Sequence, residues 1–479
     1  MTTASQPNAA QPATTEATAS EAPRFLVAVV VFVALVVAVV GSLGAPLITA
    51  VAEHYNVSLA AAQWTLTIAL LSGAVATPVL GRLGSGPRRR TVVLSTLAVV
   101  VAGSVLTVIP APFAVLLIGR GAQGVGLGLT ALMMATARDH LTEQSSASTI
   151  ALLSVASTAG IGVGYPLAGL LTDLSGIRAA YALGLVVTVA ALLAAALVLP
   201  PPPQRPTRRV DLPGALLLTI ALLALLIVIS QTDLWRHHTG TAAAILAAAL
   251  LLLAAWTVFE TRIENPLVDI RLLRHPAVAA ANLVMFTGGI GMYLLLSLIA
   301  RYVQTPATAK YGFGLDTFQA GIVLVPFSVL GFVAGKLLPL LRSRLSARTL
   351  LAASTAVVLA AFILFAVART HLAEPVIAMS ILGFGVGAFS ATMPAVILAV
   401  TPKAETASAM SVNQVVRSVG FSIGSALGGL ILAGYTTDIF PREAGYSTAA
   451  WTGIATTAAT LLIIAVTRRS SNPPRSNSS

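Results

Sequence analysis

The stretch Leu116-Leu-Ile-Gly119-Arg120-Gly121-Ala-Gln123-Gly124-Val-Gly126-Leu-Gly128 has glycines at 119, 121 and 124, and Asp139 follows where a nucleotide-binding loop would want an acid. Such a loop has to leave a strand and open a soluble helix, so that its backbone amides can cradle phosphates. Here the flanks carry no charge from Thr91 to Gly119 or from Gly121 to Ala137. No Rossmann unit forms in that setting, and Arg120 is a lone charge within apolar sequence. About 12 Å inside a span at 1.5 Å per residue, a guanidinium costs about 2.5 to 3.5 kcal/mol on insertion scales, so it is expected to face a protein-lined or wet cavity.

The rest of the chain fits a membrane. Of 479 residues, 57% are hydrophobic and 9% charged, where an ordinary soluble domain has about 25% charged. There is no cysteine, which excludes disulfides, thiolate metal sites and iron–sulfur clusters. His237-His238 lacks a third ligand nearby, so no metal site is expected. Fourteen apolar stretches approach the roughly 20 residues that a spanning helix needs. Their cores run 25–47, 59–81, 91–110, 113–135, 148–171, 178–199, 213–230, 241–259, 278–300, 317–338, 349–368, 375–399, 410–433 and 448–467.

The formal net charge of +12 could suggest nucleic acid, but the basic residues are sorted by side. Of the 28 basic residues, about 20 fall on one face of the membrane, about 6 on the other and about 2 within spans, and the positive-inside rule makes the rich face cytoplasmic. Arg82, Arg88, Arg89, Arg90, Arg138, Arg342, Arg344 and Arg348 lie there, together with both termini. A nucleic-acid partner is therefore not expected, and the bilayer is. Residues 1–22 and 470–479 are too polar to bury a core and are expected to be disordered cytoplasmic tails.

The chain also repeats itself. A shift of 260 lays Gly160, Gly164 and Gly169 on Gly420, Gly424 and Gly429, and a shift of 254 lays Gly81 and Arg88 on Gly335 and Arg342. Two six-span halves, 23–200 and 261–469, with a linker and two extra spans at 201–260, make a 6+2+6 all-α membrane protein. Carriers built from such repeats place the substrate near mid-depth between the halves.

On these residues the chain resembles the major facilitator superfamily, in its fourteen-span drug:proton antiporter branch. The loop after span two, Gly81-Arg-Leu83-Gly-Ser85-Gly-Pro-Arg88-Arg89-Arg90, is similar to the family pattern G-x-L-x-D-x-x-G-R-[RK], with Ser85 at the aspartate and Arg88 at the second glycine. Arg120-x-x-Gln123-Gly124 resembles the family's span-four motif, whose arginine the resemblance implicates in proton coupling. Gly160, Gly164, Tyr165, Pro166 and Gly169 resemble its span-five antiporter motif, with Tyr165 where the family has glycine. Two readings stay open for each motif: Arg120 couples protons or holds helices through carbonyls, and the span-five glycines serve gating or close packing.

Further pathway candidates are Asn413, Gln414 and Arg417 in span 13, of which Asn413 and Arg417 share a helix face. Arg417 either lines the pathway or snorkels to the interface. Gln63 and Trp64 are either pathway or interfacial-belt residues. Gly420-Phe-Ser422-Ile-Gly424 matches a hydrolase elbow but has no histidine within reach, and Gly331 to Lys336 fails as a P-loop because Leu337 stands where Ser or Thr binds magnesium. Neither an enzyme nor a cofactor is expected. None of the 16 acids falls in the middle of a span, which leaves Asp139 or Asp173 to titrate in a proton-coupled cycle. The expected function is export of a moderately apolar, neutral, zwitterionic or anionic small molecule across the plasma membrane by alternating access, by a monomer and with protons as partner. The alternatives are an uncoupled or differently coupled metabolite or lipid carrier, and a non-transporting sensor or assembly protein on a carrier fold.

Overall fold

In hydrocarbon every backbone N–H and C=O has to be satisfied within its own segment, which leaves helices as the economical choice for apolar runs of this length. The computed structural model describes residues 22–469 apart from 45, 58, 202–210, 231, 264–265, 267–274 and 437–439. The expected tails, apart from Ala22, and most of the expected linker lie outside the described residues. Among the described residues the regular elements are helices, with one isolated bridge between Thr436 and Pro441.

The first half holds α1 (Ala22–Ser42), α2 (Ile48–Tyr55), α3 (Leu59–Leu83), α4 (Arg89–Val108), α5 (Phe113–Val125), α6 (Leu129–His140), α7 (Glu143–Ser175) and α8 (Ile177–Val198). Then come α9 (Leu212–Ser230), the short α10 (Thr232–His237) and α11 (Thr239–Arg262). The second half holds α12 (Pro276–Gln304), α13 (Thr317–Arg342), α14 (Ala347–Val367), α15 (Ala373–Leu398), α16 (Thr406–Gly434) and α17 (Glu443–Arg469). Polar side chains cap some of the starts. The Thr142 side chain accepts from Ser145 N–H ahead of α7, and Asp316 forms a reciprocal box with Gln319 ahead of α13, each satisfying donors that the first helical turn leaves free.

Twelve stretches are long and apolar enough to cross a membrane by length and composition. The 33-residue α7 and the shorter apolar run Pro213–Ile229 of α9 stand outside that dozen. Span four, read from sequence as one helix, consists of α5, a 3-10 turn at Gly126–Gly128, and α6. The cause is local: glycine is a weak helix former, and short 3-10 pieces commonly interrupt α-helices at such points.

Helices at corresponding places in the two stretches pack alike. α7 lies along α1 as α16 lies along α12. A side chain at Gly160 or Gly164 would run into Ala38 or Ser42 of α1, and one at Gly420 or Gly424 into the backbone of α12 at Phe286 or Ile290. The halves meet along two related seams, α7 with α13 and α3 with α16. α9 packs against both α3 and α16, and α11 packs on α9. Outside the spans, the Tyr311 hydroxyl donates to Pro441 O. Burial, with Tyr446 and Tyr302 beside it, pushes this phenol up to about 12, so it keeps its proton and its role as donor at neutral pH.

Candidate functional site

A cavity of about 150 Å³ lies between the halves. α1 contributes Gly41 and Ser42 to its wall, α3 Leu66, Gly73 and Thr77, α7 Tyr165, α12 Tyr293, and α16 Gln414, Arg417, Ser418 and Phe421. The four α16 residues recur at i, i+3, i+4 and i+7, so the helix presents them as one stripe. Phe421 stacks on Tyr293 with ring centroids 5.1 Å apart, and the Arg417 guanidinium carbon lies 5.7 Å from the Phe421 centroid. A cation over an aromatic face is held by the ring quadrupole. The wall therefore offers aromatic faces, hydroxyls, an amide and one guanidinium, and no Asp or Glu stands among the described lining residues.

Arg120 is behind this wall and does not line it. Its side chain is fully buried and donates from Nε to Thr65 O at 3.1 Å, from one terminal nitrogen to Val40 O at 2.9 Å and Gln123 Oε1 at 2.7 Å, and from the other to Gly41 O at 3.3 Å. Val40 and Gly41 are in the last turn of α1, where carbonyls lose their helical donors and the helix dipole favours a cation. Pro46, without an N–H, cannot prolong the helix. Arg120 thus caps α1 and ties it to α3. Gln123 is held in turn: its amide donates to Ser104 Oγ at 3.0 Å. A Cβ at Gly44 would sit 2.7 Å from the guanidinium, so a side chain there would press on Arg120.

At the arginine-rich end the halves are tied together. Arg138 at the end of α6 donates to Thr406 Oγ1 at 2.8 Å, and to Leu398 O and Thr401 O at 2.9 Å each, all in the second half. Arg82 lies 4.0 Å from Glu405, also in the second half. Within the first half, Arg89 pairs with Asp139 at 2.6 Å and donates from Nε to Gly84 O at 2.7 Å, which fixes the turn after α3 against the end of α6. Ser85 donates to Arg82 O at 2.7 Å, and so shapes that turn from within. Arg88 and Leu83 stay on the surface of the turn.

The remaining sequence candidates divide. Gln414 and Arg417 line the cavity, as does Tyr165 beside Pro166. Asn413 is buried outside it and donates to Asn282 Oδ1 at 3.2 Å. Asn413 and Arg417 do share a small pocket of about 10 Å³ with Ser154 and Ser390, room for about one water. Gly169 faces the start of α13 at Phe318. Trp64 packs against the cluster of Leu71, Ala74 and Leu226, and the side chain of Gln63 lies outside the described residues. Sequence reasoning missed Tyr293 and Asn282, although each is an isolated polar group in an apolar span, the same signal that singled out Arg120. Asp139, one of the two acids that sequence reasoning left to titrate, pairs with Arg89. Asp173 is exposed at the far end of α7.

The sequence and the fold both match known proteins. The family model for the Major Facilitator Superfamily matches residues 30–425 and 283–479. The chain belongs to the major facilitator superfamily. This transporter is 24% identical over 377 residues to the multidrug resistance protein Stp of Mycobacterium tuberculosis, covering 78% of this chain and 69% of that protein. It is 27% identical over 307 residues to the cephamycin export protein CmcT of Amycolatopsis lactamdurans, covering 62% of this chain and 61% of that one. Its fold is similar to the crystal structure of the human organic anion transporter MFSD10, with a TM-score of 0.66 at 14% identity over 92% of this chain and 99% of the other. The transporter is a multi-pass integral membrane protein, and its family is one of carriers, not enzymes.

Proposed function

We propose that the transporter is a secondary active exporter that moves a moderately apolar small molecule outward across the plasma membrane by alternating access, using the proton gradient. One observation carries the reading: a mixed aromatic and polar cavity is walled by both halves, while Arg138 binds the second half at the arginine-rich end. The positive-inside rule makes that end cytoplasmic, so this conformation is the one closed to the cytoplasm. The layout is 6+2+6, with α7 and α9 completing fourteen spans, both termini cytoplasmic, and one chain forming the working unit. Relatives that bear the names of multidrug resistance and cephamycin export proteins support outward transport of drug-like molecules.

The cavity wall selects the cargo. Arg417 with no lining carboxylate disfavours lipophilic cations and suits neutral, zwitterionic or anionic amphiphiles. Arg120 acts from behind: it grips the carbonyl of Gly41, a lining residue, so a shift of α1 against α3 during the cycle is felt at its hydrogen bonds. Uncoupled carriage is the second reading, and the observation that favours it is the lack of a carboxylate among the described residues of the wall, where proton-coupled carriers commonly titrate one.

Purified protein in vesicles with an imposed pH gradient decides between them. Cargo-dependent proton flux supports antiport; cargo flux that ignores the gradient replaces it with the uncoupled reading. No cargo flux under either condition removes the export proposal.

A further inference from the structure

α16 has two faces. The stripe Gln414, Arg417, Ser418 and Phe421 faces the central cavity. The opposite stripe, Val412, Val415, Val419, Ile423 and Ala426, faces a second and larger cleft of about 620 Å³. Its other walls are α9 through Leu218 to Ile229 and α11 through Leu246 to Trp256, closed by Pro78 of α3 and Phe286 of α12. The volume is that of a site for a drug-sized ligand, yet the wall is aliphatic and aromatic throughout. α9 spans the cleft between α3 and α16, and α11 is held to the bundle through α9.

Three facts about this cleft point to one occupant. Water gains nothing from an apolar cavity, which stays dry and takes apolar ligands, and protein interiors otherwise pack with few gaps larger than a water. The surrounding medium of α9 and α11 is hydrocarbon: their outward residues Leu216, Ile220, Leu251 and Val258 are exposed. From Leu218 to Ile229 the cleft runs about 16 Å at 1.5 Å per residue, close to half of a hydrocarbon core roughly 30 Å thick, the reach of one lipid tail. A further mark lies in the wall itself. Trp256 is nine-tenths buried, and its indole N–H meets no acceptor among the described residues. Buried indoles usually find a partner. An ester carbonyl brings an acceptor where a bare hydrocarbon does not.

We infer that the cleft between the two-helix insert and the back of α16 is a binding site for one acyl chain of a bilayer phospholipid, with its ester group toward Trp256. The lipid then bears on the same helix that carries Arg417 and Gln414, on the opposite face. α9 and α11 serve as the outer wall of a lipid seat on the seam where α3 meets α16.

The test uses the full chain in vesicles of phosphatidylglycerol and phosphatidylethanolamine, doped with a phosphatidylglycerol that carries a diazirine part-way along one acyl chain. After irradiation, adducts are mapped by peptide mass spectrometry and counted against those on Val367, which faces outward from α14. Adducts should concentrate on the Val415, Val419 and Ile423 stripe and on the Leu246 to Leu253 face. Filling the cleft with Leu253→Trp and Val419→Phe should cut them about tenfold, the factor that 1.4 kcal/mol of lost binding produces, whereas Leu251→Trp on the outward face leaves them unchanged. Trp256→Phe should lower retention less, by about two- to fivefold, the range expected for one lost hydrogen bond of about 0.5 to 1 kcal/mol. Retained labelling at Val367 shows that each variant is inserted, and an unchanged monodisperse elution profile shows that it is folded. Adducts spread evenly over all outward faces would overturn the inference. So would labelling of the stripe by a diazirine-bearing apolar dye that phospholipid fails to displace, which would make the cleft a cargo site.

Discussion

The internal repeat makes the two seams between the halves counterparts, since α7 and α3 of one half correspond to α16 and α13 of the other, yet they are built differently. Along α7 and α13 the helices touch through small groups: a Cβ at Gly162 would overlap Ser328, and one at Gly321 would press on the backbone of Pro166 at 3.0 Å. Along α3 and α16 the tight contact is at the arginine-rich end, where Gly81 meets Ser411. Further along, α9 leans on both helices and the apolar cleft opens behind them. In the proposed alternating-access cycle, this close approach makes the first seam the axle. The second combines polar ties at one end with an apolar filling at its back, as expected of a seam that parts and re-forms.

Arg120 gives the largest expected effect because it positions α3, one wall of the parting seam. Arg120→Ala strips the donor from Val40, Gly41 and Thr65 carbonyls; each buried acceptor left unpaired costs about 1 to 3 kcal/mol before relaxation. Transport in vesicles should vanish and the thermal midpoint should fall, while the protein still inserts. Arg120→Lys, with a point charge instead of a planar fork, should recover part of the stability. Full turnover in Arg120→Ala would separate this residue from the cycle.

Next comes the axle. Gly162→Leu should destabilise by about 1 to 3 kcal/mol through overpacking and block transport, with partial recovery when Ser328→Gly makes room. If Gly162→Leu transports normally, the α7 and α13 seam is not the pivot and the contrast between the seams fails.

Arg138 tests the polar tie. Its three acceptors, Thr406 Oγ1, Leu398 O and Thr401 O, all belong to the second half, so Arg138→Gln should shift the population toward a state open at the arginine-rich end. The side chain is only part-buried, and a shift of about 1 kcal/mol, roughly fivefold in population, is the expected scale after solvent screening. The chain has no cysteine, so spin labels on Gly86→Cys and Lys403→Cys, one on each half, read the opening directly as a longer distance component.

How much of this was legible in the sequence differs by seam and by residue. The helical class followed from apolar run length, and Arg120's burial from its place in an uncharged run. The repeat was read from Gly160 and Gly164 recurring as Gly420 and Gly424, and the first pair presses α7 on α1 as the second presses α16 on α12. The partners of Arg120 were not legible, since backbone carbonyls have no residue type. Nor was the tie from Arg138 to Thr406, 268 residues away, for which no local pattern exists. The opposite faces of α16 could have been read from the alternation of Val412, Val415 and Val419 with Gln414, Arg417 and Ser418, but not which cavity each stripe met.

The smallest expected effect comes from Gly81, and it isolates the seam from everything else. A Cβ there would meet Ser411 Oγ, and would lie 2.9 Å from Ser411 Cβ and 3.1 Å from Ala407 O. Ser411 is fully buried and donates to Ala407 O at 2.6 Å, so Gly81→Ala forces it off a favourable rotamer at a cost of about 0.5 to 1.5 kcal/mol. That cost falls on the tied state alone, because parting the halves at this end removes the contact. Gly81→Ala should therefore lengthen the same spin-label distance less than Arg138→Gln does, and adding Ser411→Gly should reverse the change by more than the sum of the single substitutions allows. Such non-additivity is the signature of direct contact. Two additive effects, or an unchanged distance distribution, would mean that the tie at this end rests on the arginines and that the two helices meet there without consequence.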